Sequence, residues 1–402
     1  MVTLADIEAA AARIRNSVRL SPCSRSETLS KRVGASVSLK LENLQITGSY
    51  KERGALNKLL TLTSEEAARG LVAASAGNHA QAVAYHAARQ GIRAHIWMPV
   101  TTPLIKVSAT RNYGAEVKLY GANYDEAYEA ASECCRQGRR TFVHPFDDDA
   151  VVAGQGTLAL ELLEQSPDLE LIVVPVGGGG LIGGIACAIK ETSPKIRVVG
   201  VQTARMASMP AALHAGKPVT IPAAATLADG IAVRKVGDRT LPLVEKYVDE
   251  LITVDEEEIA TAILYLLEQE KTVAEGGGAV GVAAILHDRI QCAGKRTVAV
   301  ISGGNIDVTL LSRIIERGLV KDGRMVRLRI HLPDFPGALH RLTGVIAQHR
   351  ANIVQTSHDR AHYGVSLGQT VIDINLETRG QEHIEELTTA LTSAGYRHHR
   401  IH

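Results

Sequence analysis

"LIVVPVGGGGLIGGIACAIK", residues 171–190, reads as an apolar strand that runs into four successive glycines, Gly177 to Gly180, and then into an apolar helix. A strand feeding a helix through a glycine turn is the unit of a parallel sheet with crossover connections. The same alternation recurs along the chain. Further β-rich runs are "SVSLKL" (36–41), "GLVAAS" (70–75), "RAHIWMP" (93–99), "AEVKLY" (115–120), "IRVVGVQ" (196–202) and "RTVAVISGG" (296–304). Amphipathic stretches such as "NYDEAYEAASECCRQG" (123–138) lie between them. The expected body is α/β: two lobes of doubly wound parallel sheet over residues 1–320, the smaller lobe spanning about 50–150.

At "RGLVKDGRM" (317–325) the alternation pauses in charge and glycine. Beyond it, residues 326–402 read strand, helix, strand, strand, helix, strand, the order of a ferredoxin-like domain. A chain of 402 residues is too long for one core at about 150 residues per domain, and such a division is expected.

Charge excludes some partners. With 44 basic against 43 acidic side chains, no net field draws the chain to nucleic acid or an anionic membrane. No apolar run reaches the roughly 18 residues that span a bilayer, and the N-terminal stretch carries Asp6 and Glu8 where a secretory segment would be apolar. A soluble cytoplasmic protein is expected. Five cysteines without a C-x-x-C pair argue against disulfides and zinc, and are expected as small buried apolar residues.

The glycine run is the first candidate site. Residues without Cβ let successive amides turn toward one anion, and the helix N-terminus adds its partial positive charge. No P-loop lysine and no clear dinucleotide fingerprint accompany it, so a phosphate is indicated rather than a nucleotide. A plain turn is the alternative. In "TGSYK" (47–51), Ser49 is expected to cap a helix with Lys51 in its first turn. The helix dipole and Arg53 would both disfavour the Lys51 ammonium, as a Schiff-base lysine requires, although an ordinary solvated lysine fits the same stretch. In "ASAGNHAQ" (74–81) a strand ends in small residues before a helix near Asn78, suiting a carboxylate or the polar edge of a ring. His79 there reads as a packing or cap histidine as readily as a catalytic one. In "VAVISGGNID" (298–307), Ser302 is either a donor to a neutral aromatic nitrogen or a turn hydroxyl, and Asn305 a helix cap. Together these strand ends describe a site for a phosphate-bearing cofactor that forms an imine, which pyridoxal phosphate fits best.

"ENLQITGSYKERGA", "SAGNHAQ", "GGGGLIGG" and "SGGN", in that order, resemble the threonine dehydratase (threonine ammonia-lyase) family of fold-type II pyridoxal-phosphate enzymes. The C-terminal segment with "DFPGALHRL" (334–342) resembles an ACT domain, a small regulatory module. The resemblance implies that Lys51 carries the cofactor as a Schiff base and is then the Cα base. It implies that Gly177, Gly178, Gly179 and Gly180 bind the phosphate, Asn78 the 3-hydroxyl and Ser302 the pyridine nitrogen, with Tyr50 flanking the ring. Ser75, Gly77, Asn78 and His79 would grip the substrate carboxylate. Asp229 and Glu275 lie in segments similar to blocks near that family's active site.

The implied reaction is dehydration and deamination of L-threonine to 2-oxobutanoate and ammonia, and of L-serine to pyruvate. A preference for serine or 3-hydroxyaspartate, or a non-catalytic amino-acid sensor on the same scaffold, are the rivals. Serine racemases, which share the scaffold, have a serine where this chain has Ala76, so weak racemisation is implied. Gln202 and Ser208 stand where a racemase-type divalent site has acids, so no magnesium or calcium is expected there. The terminal "RHHRIH" is read as solvated rather than metal-binding. Asp334 and Gly337, at a strand-to-helix turn, would receive an amino-acid effector, isoleucine or valine by resemblance. A ferredoxin-like domain that only dimerises is the plain alternative. A homodimer or homotetramer is implied.

Overall fold

A computed structural model describes residues 1–359 and 368–401. Its contacts divide the chain into two compact units, Met1–Ile306 and Asp307–His402. The division falls ahead of the boundary expected between 320 and 326, because the helix Val308–Lys321 packs on the strand Met325–Pro333 of the second unit.

Two sheets organise the first unit. In the larger, strands lie in the order Cys23–Arg25, Ser36–Leu41, Arg296–Ile301, Leu171–Pro175, Arg197–Thr203 and Glu250–Val254. All neighbours are parallel except the edge pair Cys23–Arg25 with Ser36–Leu41. The smaller sheet, Glu116–Leu119, Ala94–Met98, Leu71–Ala74 and Thr141–Phe142, is wholly parallel. Every strand expected from the quoted runs is present. The strands Cys23–Arg25, Thr141–Phe142 and Glu250–Val254 were not signalled; the first two are only three and two residues long, too short for periodicity to register.

Leu171–Pro175 is buried at every position, as a strand covered by helices on both faces must be. The helix Gly276–Leu286 is apolar throughout and wholly buried against the large sheet, which its composition allows because no polar face needs water. Ile182, Ile185 and Val174 join the main core, each contributing about 1.5–3 kcal/mol by leaving water. Of the five cysteines, all unpaired, only Cys187 and Cys292 are buried; Cys23, Cys134 and Cys135 are half-exposed, against expectation. No helix is long and apolar enough to cross a membrane among the described residues.

The second unit continues from Met325–Pro333 through helix Ala338–Gln348, strands Asn352–Asp359 and Gln369–Glu377, and helix Gln381–Ser393 to strand Arg397–Arg400. Its four strands pair antiparallel. Alternate inward residues of the two long strands, Leu328, Ile330, Ile372 and Ile374, form a core of their own with Leu342 and Leu387.

Candidate active site

In open α/β sheets the carboxyl ends of parallel strands face a common crevice, and the sequence puts its glycines and hydroxyls there. Lys51 is the first residue of the helix Lys51–Leu60. The residue before it, Tyr50, occupies the cap position without a side-chain cap bond. Ser49 is therefore not the cap: it is fully buried, pairs by its backbone with Gly303, and its hydroxyl has no hydrogen-bond partner. The Lys51 Nζ donates to the Pro145 carbonyl at 2.7 Å. Burial pushes its ammonium down to about 8, with the Glu275 carboxylate opposing.

Arg53 does not contribute to that depression as expected. Its guanidinium points into a buried network, donating to both Glu42 oxygens at 2.8 Å and to both Glu161 oxygens at 2.7 and 2.8 Å. Lys40, also fully buried, joins through Glu161 at 2.6 Å. Two cations facing two anions leave the Arg53 charge neutralised, and burial is the main influence that lowers the Lys51 ammonium.

The glycine loop meets Lys51 through Pro145 and Phe146. A Cβ on Gly178 would overlap the Phe146 ring, and one on Gly180 would lie 2.9 Å from the Phe146 carbonyl oxygen. Gly179 sits at φ +95° and leads into the helix Gly180–Thr192 without a side-chain cap, leaving its first amides without intrahelical acceptors. The loop's carbonyls are held elsewhere: Thr240 donates to Gly178 O at 2.6 Å, and Gln202 to Gly177 O at 3.4 Å. With carbonyls engaged behind and amides presented at a helix N-terminus, the loop fits a phosphate.

Ser302 and Asn78 complete the cluster. The Ser302 carbonyl accepts from the Tyr50 amide at 3.1 Å, which places it beside Lys51. Its hydroxyl is buried and makes only a 3.5 Å contact with Gly277 O. Asn78 begins the helix Asn78–Arg89; its amide donates to Glu275 Oε1 at 2.7 Å and accepts from Asn305 at 2.7 Å. Asn305, expected as a helix cap, instead ties Asn78 to the Thr47 carbonyl, also at 2.7 Å. Asp307 caps the following helix. The donor set therefore fits pyridoxal phosphate: a half-buried amine of lowered affinity for protons, a glycine cradle for phosphate and a weakly engaged buried hydroxyl.

The turn Ser75–Asn78 is closed by the Gly77 amide donating to Ser75 Oγ at 3.3 Å. The His79 ring is held at one nitrogen: Nε2 contacts the Val143 carbonyl at 2.9 Å, burial holds it down to about 3, neutral, and Nδ1 is buried without a hydrogen-bond partner. Ala76 packs on the small lobe's core. Gln202 accepts from the Met209 amide at 3.1 Å while donating to Ser208 at 3.3 Å, so its amide oxygen is engaged. His402 of "RHHRIH" lies outside the described residues. In the second unit, Gly337 at φ +92° opens the helix Ala338–Gln348 without a side-chain cap, and the Asp334 amide donates to Gly368 O at 2.9 Å.

Sequence reading missed Pro145 and Phe146, and gave Glu275 and Asn305 no such roles. "HPFDDD" carries no glycine or hydroxyl signature, and Glu275 meets Asn78 across 197 positions of chain, a pairing no local pattern encodes. Lys106 and Asp229, paired at 2.8 Å, likewise come from distant segments.

Comparison with known proteins follows the same division. The model of the family described as "Pyridoxal-phosphate dependent enzyme" matches residues 14–303, and that of the ACT domain residues 326–395. An L-threonine ammonia-lyase of Thermotoga maritima is 51% identical over 396 residues, 98% of either chain. One of Geobacter sulfurreducens is 49% identical over 390 residues, 97% of either chain. The processed form of threonine deaminase isoform 2 from Solanum lycopersicum superposes with a TM-score of 0.75 at 37% identity, covering 78% of this chain and 91% of its own.

Proposed function

Because the chain belongs to the pyridoxal-phosphate dependent enzymes and carries an ACT domain, we propose that it is a lyase that dehydrates and deaminates L-threonine. The products are 2-oxobutanoate and ammonia, and L-serine gives pyruvate. Near-full-length similarity to two L-threonine ammonia-lyases supports the substrate. The observation that carries the chemistry is the half-buried Lys51 Nζ, held against the Pro145 carbonyl at 2.7 Å with the glycine loop packed on the residue after Pro145.

Lys51 holds the cofactor covalently. Gly177, Gly178, Gly179 and Gly180 receive its phosphate through their amides, and Asn78 its ring hydroxyl. Ser302 donates to the ring nitrogen, and Tyr50 flanks the ring. A hydroxyl, unlike a carboxylate, does not draw a proton onto that nitrogen. Bound pyridoxal phosphate supplies the electron sink that weakens the Cα–H and Cβ–O bonds of an attached amino acid. Lys51 Nζ, freed when the substrate amine takes its place, would then take the Cα proton, a task its lowered proton affinity suits near neutral pH. Ser75, Gly77, Asn78 and the His79 backbone receive the substrate carboxylate. Ala76 has no proton to give, so racemisation is slight. The second unit takes an amino-acid effector at the Asp334–Gly337 turn. The enzyme acts in the cytoplasm as a homodimer or homotetramer, which light scattering checks.

Borohydride reduction followed by peptide mapping tests the central assignment: the pyridoxyl label is expected on Lys51, and its absence there rejects the site. Substrate choice is tested by kcat/KM for L-threonine, L-serine and 3-hydroxyaspartate. A methyl group is worth only about 1–3 kcal/mol in a pocket, so threonine about tenfold slower than both others overturns the substrate assignment.

A further inference from the structure

The Asn78 amide is fixed at both ends. Nδ2 donates to Glu275 Oε1 at 2.7 Å, and Oδ1 accepts from Asn305 Nδ2 at 2.7 Å. Asn305 in turn spends a second N–H on the Thr47 carbonyl at 2.7 Å, four residues ahead of Lys51. A carboxylate can only accept, so these partners decide which way the Asn78 amide faces and leave one of its two N–H bonds unspent.

Room for the clamp is made by glycine. A Cβ on Gly303 would lie 2.5 Å from Glu275 Oε1 and 3.0 Å from Asn78 Nδ2, and one on Gly230 would lie 3.0 Å from the same oxygen. The Glu275 amide donates to Gly303 O at 3.0 Å, so backbone and side chain hold the same turn. Glu275 is 5% exposed. Around it stand Lys51 and Tyr50 at the start of their helix, and Asp229 with its partner Lys106. Burial, then the Asp229 charge, lifts the carboxyl to about 7.

We propose that Glu275 and Asn305 are the positioning residues of the cofactor ring: they orient Asn78 so that its unspent N–H serves the ring oxygen, and Glu275 sets the local charge against which that oxygen is protonated. The inference rests on the reading that Asn78 binds the ring hydroxyl. An ionised Glu275 one amide away favours the protonated ring oxygen, and a neutral Glu275 favours the anion, because a like charge nearby disfavours ionisation. The colour of the bound cofactor should therefore change with pH around neutrality.

The experiment is a pH series of visible absorbance, with cofactor Kd, on the holoenzyme and on Glu275→Gln and Asn305→Ala. Glu275→Gln keeps an acceptor for Asn78; it is expected to hold the cofactor and to lose the spectral titration near neutrality. Asn305→Ala is expected to keep the titration but bind cofactor about tenfold more weakly, the effect of one part-buried hydrogen-bonding group left without its partner. Wild-type pH profiles and Kd values in both variants overturn the inference. If Glu275→Gln does not fold, Asn305→Ala decides alone, and unchanged affinity overturns it. A wild-type protein with no visible band rejects the cofactor site itself, whereas a wild-type band insensitive to pH near neutrality rejects only the charge role of Glu275.

Discussion

Lys51 donates from Nζ to the carbonyl of Pro145 at 2.7 Å, and the ring of the residue after Pro145 fills the space a side chain on Gly178 would need. One turn of chain thus holds the Lys51 amine and shapes the glycine loop together. The amine is held down to about 8 from an ordinary 10.5 by burial. Between these values the unfolded chain binds a proton that the folded cofactor-free protein has released, so stability rises with pH across that window and the burial penalty stays in full below it. The same shift makes the neutral nucleophile available early. Capture of pyridoxal phosphate by cofactor-free protein, followed by absorbance, should accelerate with a midpoint near pH 8. A midpoint above about 10, the range of a solvated lysine, would contradict the account.

Gly178→Ala is expected to fold but to weaken cofactor binding by about tenfold or more, because its methyl group must displace the Phe146 ring. Overpacking of this kind costs about 1–3 kcal/mol. Trimming the ring in Gly178→Ala/Phe146→Leu should recover part of the affinity. A double variant no better than Gly178→Ala would show that the contact with Phe146 is not what excludes a side chain.

What the sequence disclosed and what it withheld divide by range. The turns that carry Asn78, Gly177–Gly180 and Ser302 were legible because each follows a strand end in small residues, and the start of the Lys51 helix because a Thr-Gly-Ser turn precedes it. The strand at Leu171–Pro175 was legible from its unbroken apolar run. The Ser49 cap failed because Tyr50 takes that position once Ser49 is drawn into pairing with Gly303, a contact made across the whole first unit. Arg53 was placed beside Lys51 by spacing alone, yet residues two apart on a helix point in different directions, and Glu42 and Glu161 decide where the guanidinium goes. His79 was ambiguous in sequence, and its Nε2 meets the Val143 carbonyl, which belongs to a segment with no periodic signal.

The buried network of Arg53, Glu42, Glu161 and Lys40 should govern stability. Glu42 is fully buried, and the Arg53 charge lowers its affinity for a proton against the opposing effect of burial. Glu42→Gln removes an anion while leaving two buried cations to share Glu161. Breaking one partner of a buried pair costs about 3–5 kcal/mol, read as a lower midpoint in urea unfolding of the holoenzyme. Glu27→Gln, which opens the solvent-exposed pair with Arg25, should move the midpoint little. Equal effects from the two substitutions would refute the importance given to burial.

In the second unit, Gly337 holds φ +92° with open space where a Cβ would stand. A side chain there meets no neighbour, so the cost of Gly337→Ala is backbone strain alone, about 1–2 kcal/mol for the left-handed region. That strain falls on the amides leading into the helix Ala338–Gln348, the groups assigned to the effector's carboxylate. Isoleucine titrated against threonine turnover should shift the wild-type response, and Gly337→Ala should need several-fold more isoleucine for the same shift. Turnover without effector is expected to match the wild type, because Lys51 and the glycine loop belong to the other compact unit. An isoleucine response identical in Gly337→Ala would remove the turn from the effector site. A wild-type response flat to both isoleucine and valine would reject these effectors for this turn.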